Sequence, residues 1–125
     1  MRAAALVAAI GCLAIAIFQA ALALDAPLGR AAWGGKHVRL PTPLRIASGV
    51  AVVIWVLAAL IVLARAGYAV SPFPDPVERW AVWAVVGLLA VGTLVNAASS
   101  SRWERFLWAP VAFTLAVLSV IVALG

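Results

Sequence analysis

Apolar residues in this chain gather into four runs, residues 3–24, 46–64, 80–98 and 106–124, and none of the four contains Asp, Glu, Lys, Arg or His. The runs are 22, 19, 19 and 19 residues long. A helix rising 1.5 Å per residue needs roughly 20 residues to cross about 30 Å of hydrocarbon. The pattern predicts an all-α, integral membrane four-helix bundle, with helices over about 3–24, 43–66, 76–98 and 102–124. The loops between the runs hold 21, 15 and 7 residues, too few for a stable extramembrane domain. Residues 1–125 therefore read as a single transmembrane domain.

Local signals set the helix ends. Asp25-Ala26-Pro27 ends helix 1, because proline has no N–H for the helix ladder and restricts the residue before it. Thr42-Pro43 is a start signal for helix 2, and Gly67, just after Arg65, is its stop. Loop 2 (residues 65–79) carries Pro72, Pro74 and Pro76 at alternate positions, which favours an extended connector. It ends in Asp75-Pro76-Val77-Glu78, read as a cap for helix 3 with Glu78 reaching back to a free N–H. Ser101-Arg102-Trp103-Glu104 repeats the spacing before helix 4, so Asp75 and Glu104 are both taken as capping groups. The short loop 3 (residues 99–105) makes helices 3 and 4 antiparallel neighbours. Pro110 frees the carbonyl of Phe106 and predicts a kink. Helix 1 has a rival reading as a secretory signal cleaved after Ala21-Leu22-Ala23, but its apolar stretch is longer than such signals use, and an uncleaved helix is favoured.

Composition sharpens the class. Hydrophobic residues make up 67% of the chain and charged residues 10%, where a soluble domain carries roughly a quarter charged. The net charge of +5 is dispersed over loops and one terminus, so no nucleic-acid partner is expected. A lone Cys12 excludes an intrachain disulfide, and no Cys or His spacing suggests a metal. Loops 1 (residues 25–45) and 3 hold six Lys and Arg, against three for the termini and loop 2. The positive-inside rule then places loops 1 and 3 in the cytoplasm and both termini outside a bacterial cytoplasmic membrane.

Small residues mark faces where helices approach closely in lipid. Helix 1 has Ala4, Ala8, Cys12, Ala16 and Ala20, and helix 4 has Ala109, Ala112, Ala116, Ser119 and Ala123. Segments 48–63 and 109–124 share a loose likeness that suggests a duplicated hairpin, though common apolar composition explains it equally. Trp55, at the middle of helix 2, needs a partner for its indole N–H and should face protein or a ligand.

The spans hold no titratable group, so nothing chemical is expected at mid-depth. Gln19 and Asn96, the only glutamine and asparagine, reach one leaflet, where they can bond each other or hold a ligand head group. His37 beside Lys36 is read as a solvated interfacial residue rather than a proton shuttle. Asp25, at a helix C-terminus where the dipole disfavours it, is expected to pair with Arg30. Trp33, Trp80, Trp83, Trp103 and Trp108 read as an aromatic belt.

Length and span number are similar to those of the small multidrug transporters, a resemblance that implies a dimer and a glutamate in the first helix. Helix 1 here offers Cys12 and Gln19 instead. The segments Ala26-Pro27-Leu28-Gly29-Arg30, Ala32-Trp33-Gly34-Gly35-Lys36-His37, Leu40-Pro41 and Leu44-Arg45-Ile46 with Ser48 resemble a pattern in small uncharacterised bacterial four-span integral membrane proteins. Glu104-Arg105 and Trp108-Ala109-Pro110 fit the same pattern. The resemblance implies that loop 1 is a structured element, its glycines allowing close backbone packing. The expected role is a non-enzymatic interaction protein or a bundle that binds a small lipophilic ligand, with no cofactor. Its expected partners are the lipid bilayer and either a second copy or another membrane protein. A dimeric exporter of lipophilic compounds is the alternative.

Overall fold

The computed structural model describes residues 1–125, and every regular element in it is helical. The helices are α1 (Arg2–Ala23), α2 (Thr42–Arg65), α3 (Asp75–Ala97) and α4 (Ala109–Leu124), with a π-helical segment Glu104–Trp108 running directly into α4. Each of the four, α4 counted with its π segment, is long and apolar enough to cross a membrane, as a multi-pass membrane protein requires. α1 packs chiefly on α2, α3 chiefly on its antiparallel neighbour α4, and the two hairpins join through α1 and α4, while α2 and α3 touch more thinly.

Small residues carry the central contacts. Ala8, Cys12 and Ala16 are buried on α1, and Ala109, Ala112, Ala116 and Ser119 on α4. Gly11 lies against the Leu115 side chain so closely that a methyl group there would collide with it. Without a hydrophobic drive between helices in lipid, such close approach is what dispersion requires.

Both helices that lead into a long loop stop the same way. After α2, Gly67 takes φ 86°, its N–H donating to Ala64 O and that of Tyr68 to Leu63 O. After α1, Asp25 takes φ 72°, its N–H donating to Leu22 O and that of Ala26 to Ala21 O. The paired 5→2 and 6→1 bonds satisfy carbonyls the helix leaves free. Pro27 therefore follows a stop that the left-handed Asp25, two residues earlier, has already made.

The helix starts depart from expectation. Thr42 and Asp75 are already helical and make no capping bond, and Glu78 does not reach back. The extended Pro41 and Pro74 precede them, and their carbonyls accept the first helical N–H groups, Leu44 and Arg45 in one case, Val77 and Glu78 in the other. Pro43 and Pro76 fall in the first turn, where a missing N–H costs nothing. The disturbance expected at Pro110 takes the form of the π segment, where the N–H of Ala109 reaches five residues back to Glu104 O.

Packing divides the bundle into unequal halves. The main core joins Ala5–Ile15 of α1, Ala58–Ala66 at the end of α2, Val82–Leu89 of α3 and Leu115–Val122 of α4, and runs from the end that holds loop 2 and both termini to the middle of the bundle. In the other half, Ser48 is the one buried residue of α2 before Ala58, and α3 buries nothing after Leu89. A small second cluster, Leu22, Ala32 and Leu40 with Phe18 and Leu44 against it, sits under loop 1.

Candidate functional site: a roofed cavity between the helices

Loop 1 folds over the loosely packed end as a roof. Two short 3₁₀ turns, Gly29–Ala31 and Trp33–Gly35, carry it, and the N–H of Gly29 donates to Val38 O to close the loop on itself. Gly29 lies so tightly on the carbonyl of His37 that a side chain has no room there. Gly34 and Gly35 take φ 84° and 74°, and Trp33 takes φ 49°, a conformation uncommon for a bulky residue. What holds Trp33 is its indole N–H, which donates to the buried Ser48 hydroxyl at 2.9 Å.

Loop 3 pins this roof. Glu104 Oε1 accepts from the Gly34 N–H at 2.9 Å and from the Ser99 hydroxyl at 2.6 Å. The Ser101 hydroxyl donates to Arg30 O at 2.6 Å and receives the Glu104 N–H at 3.4 Å. Half of the expected capping box therefore forms, with Ser101 serving the helix start while the Glu104 carboxylate turns to loop 1. Cap spacing alone could not separate these outcomes, because the competing partner lies 70 residues away. A hint lies in Gly34-Gly35, a pair free to take left-handed backbone, which leaves the Gly34 N–H for an anion while that of Gly35 donates to Ala32 O.

Beneath the roof lies a cavity of about 590 Å³, within the range of small-molecule sites. α1 contributes Ile15, Phe18 and Gln19, α2 contributes Leu44 and Trp55, and α3 contributes Leu89, Gly92, Val95 and Asn96. Trp108 and Ala112 close it from α4 and its π segment, and Ala31–Gly34, Ser99, Ser100 and Glu104 complete the polar end. Phe18 and Trp108 stack tilted, with centroids 4.8 Å apart. Two residues of the lining each bury an atom that has no hydrogen-bond partner in the chain, the acceptor Gln19 Oε1 and the donor Trp108 Nε1. A third, the Ser119 hydroxyl, lies deeper in α4 and away from the cavity.

Of the residues singled out by sequence, Gln19, Asn96, Trp55 and Trp33 meet at this cavity. Gln19 and Asn96 do not bond each other, because the Asn96 amide instead donates to Gly92 O on its own helix. His37, Asp25 and Arg30 lie outside it. Asp25 pairs with Arg39 at 3.1 Å rather than with Arg30, since the fold of loop 1 returns Arg39 to the end of α1, where it also donates to the Asp25 carbonyl. Trp108 leaves the expected belt for the cavity, Trp33 lines the cavity while staying 40% exposed, and Trp80 and Trp103 stay outward. Glu104, read as a cap from sequence, is 8% exposed and lines the cavity. Comparisons of the chain with protein-family models, curated proteins and solved structures find no match to it.

Proposed function

We propose that this chain is a non-enzymatic protein of the bacterial cytoplasmic membrane that holds a small lipophilic ligand in the roofed cavity. One observation carries the reading: loop 1 roofs one largely apolar cavity of about 590 Å³, and two residues of its lining, Gln19 and Trp108, each keep a buried polar atom without a partner, the acceptor Oε1 and the donor Nε1. Leaving such groups unpaired costs on the order of 1–3 kcal/mol each, a cost that a ligand recovers once small side-chain movements bring the two atoms to it. Rings of Phe18, Trp33, Trp55 and Trp108 supply the large apolar contact that small-molecule sites use. The exporter reading requires a path through the other half of the bundle. There Ala8, Cys12, Val62, Val82 and Val122 are fully buried, which favours holding over passage within one chain.

Gly92 allows a direct test. It lines the cavity, and a side chain added to it meets nothing within 4 Å, as is also true of the outward-facing Gly87 one helix turn and a residue earlier. The neutral fluorophore N-phenylnaphthylamine should bind the purified protein saturably, with energy transfer from tryptophan. Gly92→Phe should abolish that binding and Gly87→Phe should retain it. Equal binding by the two variants, or no saturable binding to the parent, would remove the proposal.

A further inference from the structure

Glu104 is the only charged residue that lines the cavity, and no cation offsets it. The single ion pair in the structure is Asp25 with Arg39, at the far side of loop 1. Arg30, Arg102 and Arg105 are close in sequence to the roof contacts, yet all three are exposed and none approaches the Glu104 carboxylate within ion-pair distance. A buried carboxylate is ordinarily paired with a cation, because removing it from water costs several kcal/mol. Here two neutral donors, the Gly34 N–H and the Ser99 hydroxyl, both fall on Oε1, while Oε2 has no partner in the chain and stays accessible to one from outside it.

The rest of the wall has the same bias. Aromatic faces carry negative electrostatic potential and attract cations lying over them, more strongly when water is excluded, and Trp33, Trp55 and Trp108 bound the cavity. Gln19 Oε1 is an unpartnered acceptor among the lining residues, and the Trp108 N–H, an unpartnered donor, is the one group there of opposite sense. Lys and Arg are absent from the lining altogether, so an anionic head group would meet an anion and no counter-charge.

Resting on the ligand-binding reading above, we propose that the cavity selects lipophilic organic cations, with Glu104 as the counter-ion and the tryptophan faces as the wall that solvates the charge. The reading specifies charge and apolarity rather than one compound: a quaternary ammonium or phosphonium centre carried on apolar or aromatic substituents.

Tetraphenylphosphonium and tetraphenylborate test this, being nearly identical in size and shape and opposite in charge. Each is titrated against purified protein already loaded with N-phenylnaphthylamine, and displacement of the fluorophore is read. The expected result is displacement by the phosphonium at a concentration at least about tenfold lower than by the borate. That preference should fall to about one in Glu104→Gln, whose amide oxygen can still accept from Gly34 and Ser99. Equal displacement by the two ions, a preference for the borate, or displacement by neither would overturn the cation assignment while leaving the cavity as a site for neutral lipophiles. A cation preference undiminished in Glu104→Gln would remove Glu104 from it. If the parent protein does not bind the neutral fluorophore at all, the broader reading has failed and this one falls with it.

Discussion

Glu104 Oε1 accepts a hydrogen bond from the backbone N–H of Gly34 at 2.9 Å, joining the start of the last helix to a loop 70 residues earlier. Hydrogen bonds to charged groups are worth about 1.5–3 kcal/mol. Glu104→Ala should therefore lower stability by that order, leaving both the Gly34 N–H and the Ser99 hydroxyl without their acceptor. Glu104→Gln should lose less. Thermal unfolding in detergent measures the difference, and faster proteolysis at Lys36 and Arg39 in Glu104→Ala would localise it to loop 1.

Adjacent glycines in the roof should respond unequally. Gly34 has open space where a side chain would go, whereas a methyl at Gly35 would lie 2.9 Å from both Arg30 O and the Ser101 Cβ. Both have positive φ. Gly34→Ala should cost about 1–2 kcal/mol for the left-handed backbone alone, and Gly35→Ala distinctly more. Similar melting temperatures for the two variants would contradict the contact.

The small-residue face of α1 makes a third comparison. Ala8 is fully buried and Ala16 nearly so, while Ala14 faces outward. Leucine at position 8 or 16 should cost about 1–3 kcal/mol through overpacking, and Ala14→Leu should leave the melting temperature in detergent almost unchanged.

Asp25 combines an exposed ion pair with a backbone conformation that suits glycine. Exposed pairs contribute about 0–1 kcal/mol, and glycine relieves a comparable left-handed penalty. Asp25→Gly should be neutral within about 0.5 kcal/mol by the same melt, and Asp25→Val clearly destabilising, because a β-branched residue adopts positive φ poorly.

Loops 1 and 3 are bonded to each other and so face the same side. In a Cys12→Ser background, single cysteines in loops 1, 2 and 3 are expected to label from outside only in loop 2. Labelling of loops 1 and 3 instead would invert the orientation drawn from the Lys and Arg distribution, and labelling of all three would indicate two orientations.

The helices were legible in the sequence because their determinants are local: run length, the prolines near residues 42 and 75, and Gly67 as a left-handed stop. Most buried small residues of α1 and α4 were legible for the same reason, since spacing of three and four defines a helix face, but Ala5 and Ala9 are buried off the expected stripe while Ala4 and Ala20 on it are only half-buried. The site was legible only in part. Gln19, Asn96 and Trp55 stand out as polar or amphipathic groups inside apolar runs, and all three line the cavity. Glu104 did not, because its position fits a capping box and the alternative partner is set by how loop 1 folds. Arg39 rather than Arg30 reaching Asp25 has the same origin. Choices between neighbouring charges in a 21-residue loop depend on tertiary closure, which spacing does not encode.

The uneven division of buried contacts between the two ends of the bundle separates stability from specificity. Removing volume at Ala8, Val62, Val82 or Val122 attacks the contacts that keep the four helices together. Changes at Gly92, Val95 or Asn96 reshape a wall whose neighbours in α2 and α3 were never tightly interlocked. Selection can therefore retune what fits under loop 1 by altering a few side chains on α2 and α3 while the other end anchors the helices. In a family of such chains, sequence drift would concentrate at the roofed end, and residue volume would be conserved at the end with the termini.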